Sequence, residues 1–244
     1  MHLQRFVAIA AGALAALALA SPTPSQAQAG GASALNTLTP AEGAAGWHLL
    51  FDGRTTQGWR GYRRDSVPAG WQVVDGALTL VRGGAGDIIT RDSFANFELS
   101  LEWNISPGGN SGIIYRVTEQ SEATYTSGPE MQVLDDSGHA DGRSRLTAAG
   151  SLWGLYPSPA GVVRRPGEWN QVRIVVNGNH VEHWLNGVKV VQYELGSDDF
   201  YQRVETSKFR QWPEFGEAHR GHIALQDHAG NRVAYRNIRI KVLP

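Results

Sequence analysis

Short runs of alternating apolar and polar residues, joined by Asn-Gly pairs, are the feature that most restricts how this chain can fold. Residues 170–176, 180–185 and 188–193 form three such runs, and Asn177-Gly178 and Asn186-Gly187 separate them. An Asn-Gly pair suits the positive φ angles of a two-residue hairpin turn. These residues therefore predict an antiparallel meander of three strands.

Comparable runs recur along most of the chain, with glycine-containing turns between them. Asp75-Gly76, for example, separates two runs as a hairpin turn would. The strands predicted outside the meander cover residues 71–74, 77–81, 97–103, 112–117, 130–134, 221–226 and 233–241. One short helix is expected within 198–209. Many short strands and little helix predict an all-β fold, a two-sheet antiparallel β-sandwich.

The first 29 residues have the pattern of a signal peptide. A weakly basic start precedes an apolar run over residues 6–20, and Ala27-Gln28-Ala29 is a small-x-small cleavage site. The run is shorter than the roughly 20 residues that span a bilayer, although an uncleaved membrane anchor is the alternative interpretation. We expect a periplasmic or secreted protein with no membrane span after cleavage.

The remaining chain is predicted to form a flexible leader, residues 30–44, and one domain, residues 45–244. Within the leader, residues 39–42 are expected to open a short helical turn. The chain has no cysteine, which excludes disulfides, Cys-ligated zinc and a lipid anchor on cysteine. Its net charge is −1 without a basic stripe, so no nucleic-acid partner is expected. Nothing in the sequence predicts the oligomeric state.

Several common site motifs are absent from the sequence. There is no glycine-rich phosphate loop between a strand and a helix, and we expect no organic cofactor. There is also no Gly-x-Ser-x-Gly elbow. His180 and His183 would point to opposite faces of a strand, which argues against a joint metal site. We interpret His183 as a histidine on the sheet surface.

Polar residues stand at strand positions where apolar residues are usual. Glu130 and Gln132 are two apart and share one sheet face, as do Gln226 and His228. Plain solvation is the simpler interpretation for any one of them. Their position at strand ends beside glycine-rich loops instead favours a polar cleft.

Five further residues are candidates for the same cleft. Asn110 precedes the predicted strand 112–117, Arg116 lies at the end of that strand, and Asp135 follows the strand that carries Glu130. Trp153 and Tyr156 lie in a Gly/Pro-rich loop, where they would either stack on a sugar ring or anchor the loop in the core.

Taken in order, these segments resemble the 3-keto-disaccharide hydrolase family, formerly a domain of unknown function and related in fold to concanavalin A-like lectins and glucanases. The resemblance spans residues 46–243. Its segments are 49–53, 58–59, 71–76, 97–99, 109–113, 130–135, 167–170, 179–187, 225–228 and 236–238. The chain departs from the family pattern at Trp153, Ala229 and Ala234, which affects the expected rim of the pocket.

The resemblance implies a concanavalin A-like jelly roll and a hydrolase or lyase that cleaves 3-keto-glycosides. A ketone at C3 acidifies the C2 hydrogen, so a base can form an enolate and the C1–O bond can then break by elimination. A divalent metal ion or fixed hydrogen-bond donors would stabilise the enolate oxygen. A general acid would protonate the leaving oxygen.

The family mechanism implies roles for the candidate residues. Glu130 is expected to be the base or a metal ligand, His228 the acid or base or a metal ligand, and Asp135 a second catalytic carboxylate. The predicted substrate-binding residues are Asn110, Arg116, Gln132, Trp153, Tyr156 and Gln226. A non-catalytic carbohydrate-binding module is the alternative function, since sandwiches of this shape serve both purposes.

Overall fold

The computed structural model describes residue 1 and residues 34–244. Thirteen strands in this part of the chain form two sheets. The larger sheet contains β1 (Trp47–Leu49), β3 (Trp71–Val74), β4 (Ala77–Leu80), β6 (Phe97–Ile105), β9 (Asn170–Asn177), β10 (His180–Leu185), β11 (Val188–Glu194) and β13 (Val233–Val242). The smaller sheet contains β2 (Trp59–Gly61), β5 (Ile88–Thr90), β7 (Asn110–Val117), β8 (Glu130–Leu134) and β12 (His222–Leu225).

All strand pairs are antiparallel, in the order β11-β10-β9-β6-β13-β4-β3 for the larger sheet and β2-β5-β12-β7-β8 for the smaller one. Strand β1 adds to β13. The predicted two-sheet antiparallel sandwich is therefore confirmed, as is the meander β9-β10-β11. Its second turn has the expected positive φ angles, 50° at Asn186 and 82° at Gly187. In the first pair only Gly178, at 61°, has a positive φ angle, because Asn177 is the last residue of β9.

Helical structure is limited to short segments between the strands. The α-helices are α1 (Pro40–Ala44) and α2 (Asp198–Glu205), and single 3₁₀ turns cover Thr124–Thr126, Ala140–Arg143 and Lys208–Gln211. The helix predicted within 198–209 is thus α2 followed by the last 3₁₀ turn. None of the helices between residues 34 and 244 is both long enough and apolar enough to cross a membrane.

Residues 34–44 are packed against the larger sheet. Asn36 and Asn237 exchange two hydrogen bonds between backbone N–H and side-chain oxygen, of 2.7 and 2.8 Å. Thr39 and Glu42 form a capping box at the start of α1, which confirms the predicted helical turn. Glu42 also pairs with Arg239.

The predicted flexible leader is therefore wrong for residues 34–44, because hydrogen bonds with β13 fix them. The predicted signal peptide (1–29) and residues 30–33 lie outside the described residues, apart from residue 1.

The core lies between the inner faces of the two sheets, and strand alternation decides which side chains enter it. On β8, Met131 and Val133 are fully buried in this core. Their neighbours Glu130 and Gln132 consequently lie on the outer face of the smaller sheet. On β7, Ile113 and Tyr115 point inward in the same way.

His183 is a core residue, and its interpretation as a surface histidine was wrong. Strand β10 alternates such that His183 points inward with no exposed area, while His180 is on the outer face. Its Nδ1 lies 3.2 Å from the Gly150 carbonyl, which can only accept, so Nε2 accepts from the Tyr115 hydroxyl at 2.8 Å. Tyr115 in turn contacts the Tyr193 hydroxyl at 2.6 Å. This network requires a neutral imidazole, and burial lowers the pKa of His183 to about 4.

We predict that His183 makes the protein lose stability as the pH falls. Between pH 6.5 and about 4 the unfolded chain binds a proton at this histidine and the folded chain does not, so the folded state weakens on acidification. From pH 7 to pH 5, the wild type should lose about 2 kcal/mol more unfolding free energy than His183→Gln. Urea denaturation at both pH values measures this difference.

The exposed His48 on β1 provides the matched control variant, His48→Gln, which removes a histidine that lies outside the core. An equal loss of stability in wild type and His183→Gln would show that His183 is not held neutral by the core.

Candidate functional site

The outer face of the smaller sheet carries Glu130 in a row with apolar residues. The strand register places Glu130 opposite Ile114, Ile114 opposite Ala224 and Ala224 opposite Ile89. Residues directly opposite one another in an antiparallel sheet point to the same face. Tyr62 and Tyr125 cover the apolar part of this row. The Glu130 end of the row remains as the floor of a cleft.

Glu130 bends over Gly112, the glycine of the neighbouring strand. A Cβ atom added at Gly112 would lie 2.0 Å from Glu130 Oε1, so only glycine leaves room for this carboxylate. Glu130 is 8% exposed, and its carboxylate has no hydrogen bond to any described residue. Burial, with smaller contributions from Asp87 and Asp141, raises its pKa to about 8. A buried, unpartnered carboxyl group with this pKa can take up a proton near neutral pH.

Gln226 and Asp87 continue the adjacent row of the same face. The Gln226 N–H donates to the Gly112 carbonyl at 3.0 Å, and the Gln226 side-chain amide has no hydrogen bond to any described residue. Asp87 accepts from the Asp227 N–H at 2.8 Å and from the Thr124 hydroxyl. Burial raises the pKa of Asp87. This row thus supplies a free amide beside Glu130 and a second carboxyl group that is already hydrogen-bonded.

Asp227 fixes the loop next to this row. Its carboxylate accepts from the N–H groups of Gly84, Ala85 and Gly86 at 2.5–3.0 Å. The loop that precedes β5 is thereby held in place, and with it Asp87 at the start of the strand.

Lys208 lies in the 3₁₀ turn Lys208–Gln211 over the ring of Trp153, whose backbone N–H donates to the Glu130 carbonyl at 3.0 Å. Its ammonium lies 3.8 Å from the centre of the Trp153 ring and 5.4 Å from that of Tyr125. The positive charge of Lys208 lowers the pKa of Glu130. Burial of the ammonium group lowers the pKa of Lys208, and the negative charge of Glu130 offsets part of that shift. The two groups are thus electrostatic neighbours across the cleft, yet no ion pair between them is found among the described residues.

Two histidines lie together near the start of β7. The rings of His139 and His228 are 6.1 Å apart, edge to face. The Nδ1 atom of His139 accepts from the Asp141 N–H at 3.1 Å, and that of His228 contacts the Asn231 amide at 3.2 Å. The same Asn231 amide reaches the Asn110 carbonyl at 3.3 Å. Both Nε2 atoms are left without a hydrogen bond to the described residues.

The structure therefore brings five of the predicted site residues together. Glu130, Gln132 and Gln226 lie on one face, and Asn110 and His228 are joined through Asn231 at its end. Gln132 is 1% exposed and donates to the Thr147 carbonyl at 3.2 Å, so it also supports the wall of the cleft.

Trp153 is a sixth member of the set, because its ring lies under Lys208.

Three other predicted residues have side chains engaged elsewhere. Asp135 accepts from the Gly108 N–H at 2.8 Å and the Ser137 hydroxyl at 2.6 Å, and these bonds lower its pKa despite its burial. Arg116 donates to the carbonyls of Ala95 and Gly178.

Tyr156 donates to Asp199 at 2.6 Å and lies under Arg203. These contacts stabilise loops, and the roles predicted for Asp135, Arg116 and Tyr156 stay predictions without geometric support.

Sequence reasoning missed Lys208 and Asp87. Three of the 22 basic residues are lysines, so a lysine is unusual in this arginine-rich chain. That bias was the available signal for Lys208. Asp87 directly follows a glycine-rich stretch before a strand, which resembles many ordinary turns.

The described residues do not provide a complete set of ligands for the expected metal ion. No group of three or more His, Asp or Glu side chains between residues 34 and 244 is arranged to hold a metal ion. Glu130 and His228 would supply two ligands, and the Lys208 cation next to Glu130 opposes a second cation. We therefore derive no chemical step through a metal.

Comparison with known proteins agrees with the sequence motifs. Residues 46–241 match the 3-keto-alpha-glucoside-1,2-lyase-like domain. A Bacteroides thetaiotaomicron protein named 3-keto-disaccharide hydrolase is 37% identical over 243 residues, covering 87% of this chain and 83% of that protein.

Solved structures give the same relationship. A Parabacteroides distasonis protein assigned as a glycosyl hydrolase has a TM-score of 0.81 and 33% identity, covering 86% of this chain and 100% of its own. A second protein from the same organism and with the same assignment has a TM-score of 0.62 and 28% identity, covering 76% of this chain and 99% of its own. The chain therefore belongs to the 3-keto-alpha-glucoside-1,2-lyase-like family, which confirms the resemblance predicted from its motifs.

Proposed function

We propose that this protein cleaves the glycosidic bond of 3-keto-glycosides, with Glu130 as the base that removes the proton at C2. The observation that carries the proposal is the carboxyl group of Glu130, which is buried over Gly112 and has no hydrogen-bond partner within residues 34–244. Family membership and the name of the Bacteroides relative support the substrate class.

The reaction follows from the acidity of a proton next to a ketone. Glu130 takes the C2 proton, and the electron pair forms an enolate with the C3 oxygen. As the enolate collapses, the C1–O bond breaks with its electron pair, and the leaving oxygen takes up a proton. Addition of water across C1 and C2 then gives the free 3-keto sugar, so elimination followed by hydration amounts to hydrolysis.

The raised pKa of Glu130 suits this step. A general base works best when its pKa lies near the working pH, because it is then strongly basic while a useful fraction stays ionised. An ordinary exposed glutamate, whose pKa is 4.5, would be a much weaker base. The pKa of about 8 follows from the burial of Glu130.

The side chains around Glu130 fit a sugar ring. The side-chain amides of Gln226 and Asn110, which have no hydrogen bond in the described part of the chain, would bind hydroxyl groups, and Trp153 offers an aromatic surface. His228, with its free Nε2, is our candidate for the group that protonates the leaving oxygen.

We also propose export to the periplasm or the exterior, on the basis of the signal-peptide pattern in residues 1–29.

We predict that purified protein releases the aglycone from a 3-keto-glucoside and not from the unoxidised parent. Glu130→Gln should slow release about 10³-fold, because a positioned base typically contributes 10²–10⁴-fold. Circular dichroism checks that the variant is folded. Release is measured with and without a chelator, and loss on chelation would restore a metal to the mechanism.

Two results would contradict the proposal. Release from the unoxidised parent would indicate a conventional glycosidase. Binding of glycans without any release would instead favour the non-catalytic carbohydrate-binding module.

We further predict that Gly112→Ala displaces the Glu130 carboxylate and lowers kcat about 10²-fold, since a misplacement of roughly 1 Å can have that effect. The backbone of Gly112 does not lie in the left-handed region, so alanine itself adds no backbone strain. Gly43→Ala is the control, because a Cβ at Gly43 meets no atom within 4 Å. Wild-type activity in Gly112→Ala would show that the position of Glu130 over Gly112 is not required.

A further inference from the structure

Lys208 is held in place by aromatic residues, although the residue itself is exposed. The neighbouring Phe209 is buried, and its ring stacks on Phe215 with the centroids 4.0 Å apart. Ser207 caps the 3₁₀ turn by accepting from the Phe209 N–H at 3.1 Å. The backbone that carries Lys208 is therefore fixed by the core.

The ammonium group of Lys208 has no hydrogen-bond acceptor among the described residues. It lies against Trp153 at 3.8 Å and near Tyr125 at 5.4 Å, where the negative faces of the rings attract a cation. These rings orient the ammonium without using its N–H donors in conventional hydrogen bonds. The donors are left for a ligand.

The charges around the cleft indicate which group of a ligand would bind to the Lys208 ammonium. Lys208 lies over the ring of Trp153, whose backbone N–H donates to the Glu130 carbonyl at 3.0 Å, and the charges of Lys208 and Glu130 each affect the pKa of the other. A neutral ketone that becomes an enolate develops negative charge on its oxygen. A cation opposite the base is where such a charge is best stabilised.

We propose that Lys208 is a catalytic residue that donates a hydrogen bond to the C3 oxygen of the substrate and stabilises the negative charge of the enolate. The inference rests on the proposed function, in which Glu130 removes the C2 proton. The electron pair left at C2 moves into the C2–C3 bond and onto the C3 oxygen, which the ammonium holds. No bond to lysine forms, and the electron pair returns to expel the oxygen at C1.

The test is exchange of the C2 hydrogen for deuterium, followed by proton NMR in D₂O. A 3-keto sugar without a leaving group at C1, 1,5-anhydro-3-keto-glucitol, reports proton abstraction alone. We expect Lys208→Met to slow exchange 10²- to 10³-fold, as loss of one oxyanion donor does elsewhere. Lys208→Arg, which keeps the charge, should recover part of the rate. Lys241→Met, on the other sheet, should exchange at the wild-type rate.

A pH profile separates this role from a merely structural one. Because the Lys208 cation lowers the pKa of Glu130, Lys208→Met should move the lower limb of the exchange profile to higher pH. Circular dichroism verifies the fold of each variant. If Lys208→Met does not fold, Lys208→Arg provides the test. An exchange profile of Lys208→Arg with a lower maximum rate and no shift in pH supports the proposal. A maximum exchange rate equal to that of the wild type overturns it.

Three other outcomes overturn the proposal, each in a distinct way. No exchange by the wild type would reject the proton-abstraction step of the proposed function and Lys208 with it. Exchange in Lys208→Met at the wild-type rate would reject Lys208 alone. A mass increase on Lys208 after cyanoborohydride treatment with substrate would show a covalent imine, and the electrostatic role would be wrong; with three lysines in the chain, the modified one is readily mapped.

Discussion

Glu130 occupies the space above Gly112, and the character of the cleft depends on that contact between two neighbouring strands. Met131 and Val133 are drawn into the core, so the strand period of two forces Glu130 onto the opposite face. Moving an ionised carboxyl group out of water costs free energy unless a hydrogen-bond donor replaces the water. The sandwich tolerates this cost at one position, and the result is a carboxyl group that favours binding a proton.

The loops that form the walls of the cleft are joined to one another by hydrogen bonds and a contact between aromatic rings. Ser121 donates to Glu214 at 2.8 Å, and the Gly216 N–H donates to the Ser127 carbonyl at 2.9 Å. Between these bonds, Tyr125 and Trp212 meet edge to face at 5.6 Å. The loop before β8 and the segment after α2 are thus one joined rim. A rim of this kind holds Lys208 and Trp153 in fixed positions relative to the sheet.

Much of the fold was accessible from the sequence, because alternation and Asn-Gly turns are local signals. Strands β3, β8 and β10 were predicted with the bounds that the structure shows, whereas β1, β2 and β5 were missed. Each of the missed strands has three residues, too few to establish a period of two. The hydrogen bonds between Asn36 and Asn237 join residues 201 apart in the chain, so no local sequence pattern predicts them.

The site was predictable to the extent that it follows from strand faces. Alternation alone placed Glu130 with Gln132. It could not show that Asp135 is occupied by loop N–H groups, because a buried carboxylate that caps a loop and one that serves chemistry look alike in sequence. Lys208 reaches the cleft through the aromatic packing of Phe209 and Phe215, which is a property of the tertiary structure.

Titration of Glu130 is the most direct test of the role proposed for its carboxyl group. Infrared difference spectra of wild type against Glu130→Gln, recorded from pH 4 to pH 10, would isolate the C=O band of its protonated carboxyl group. We predict a band that disappears with a midpoint at about pH 8, the pKa that burial gives to Glu130. A midpoint near 4.5, the ordinary value for glutamate, would show that the carboxyl group is solvated and would contradict its role as the tuned base.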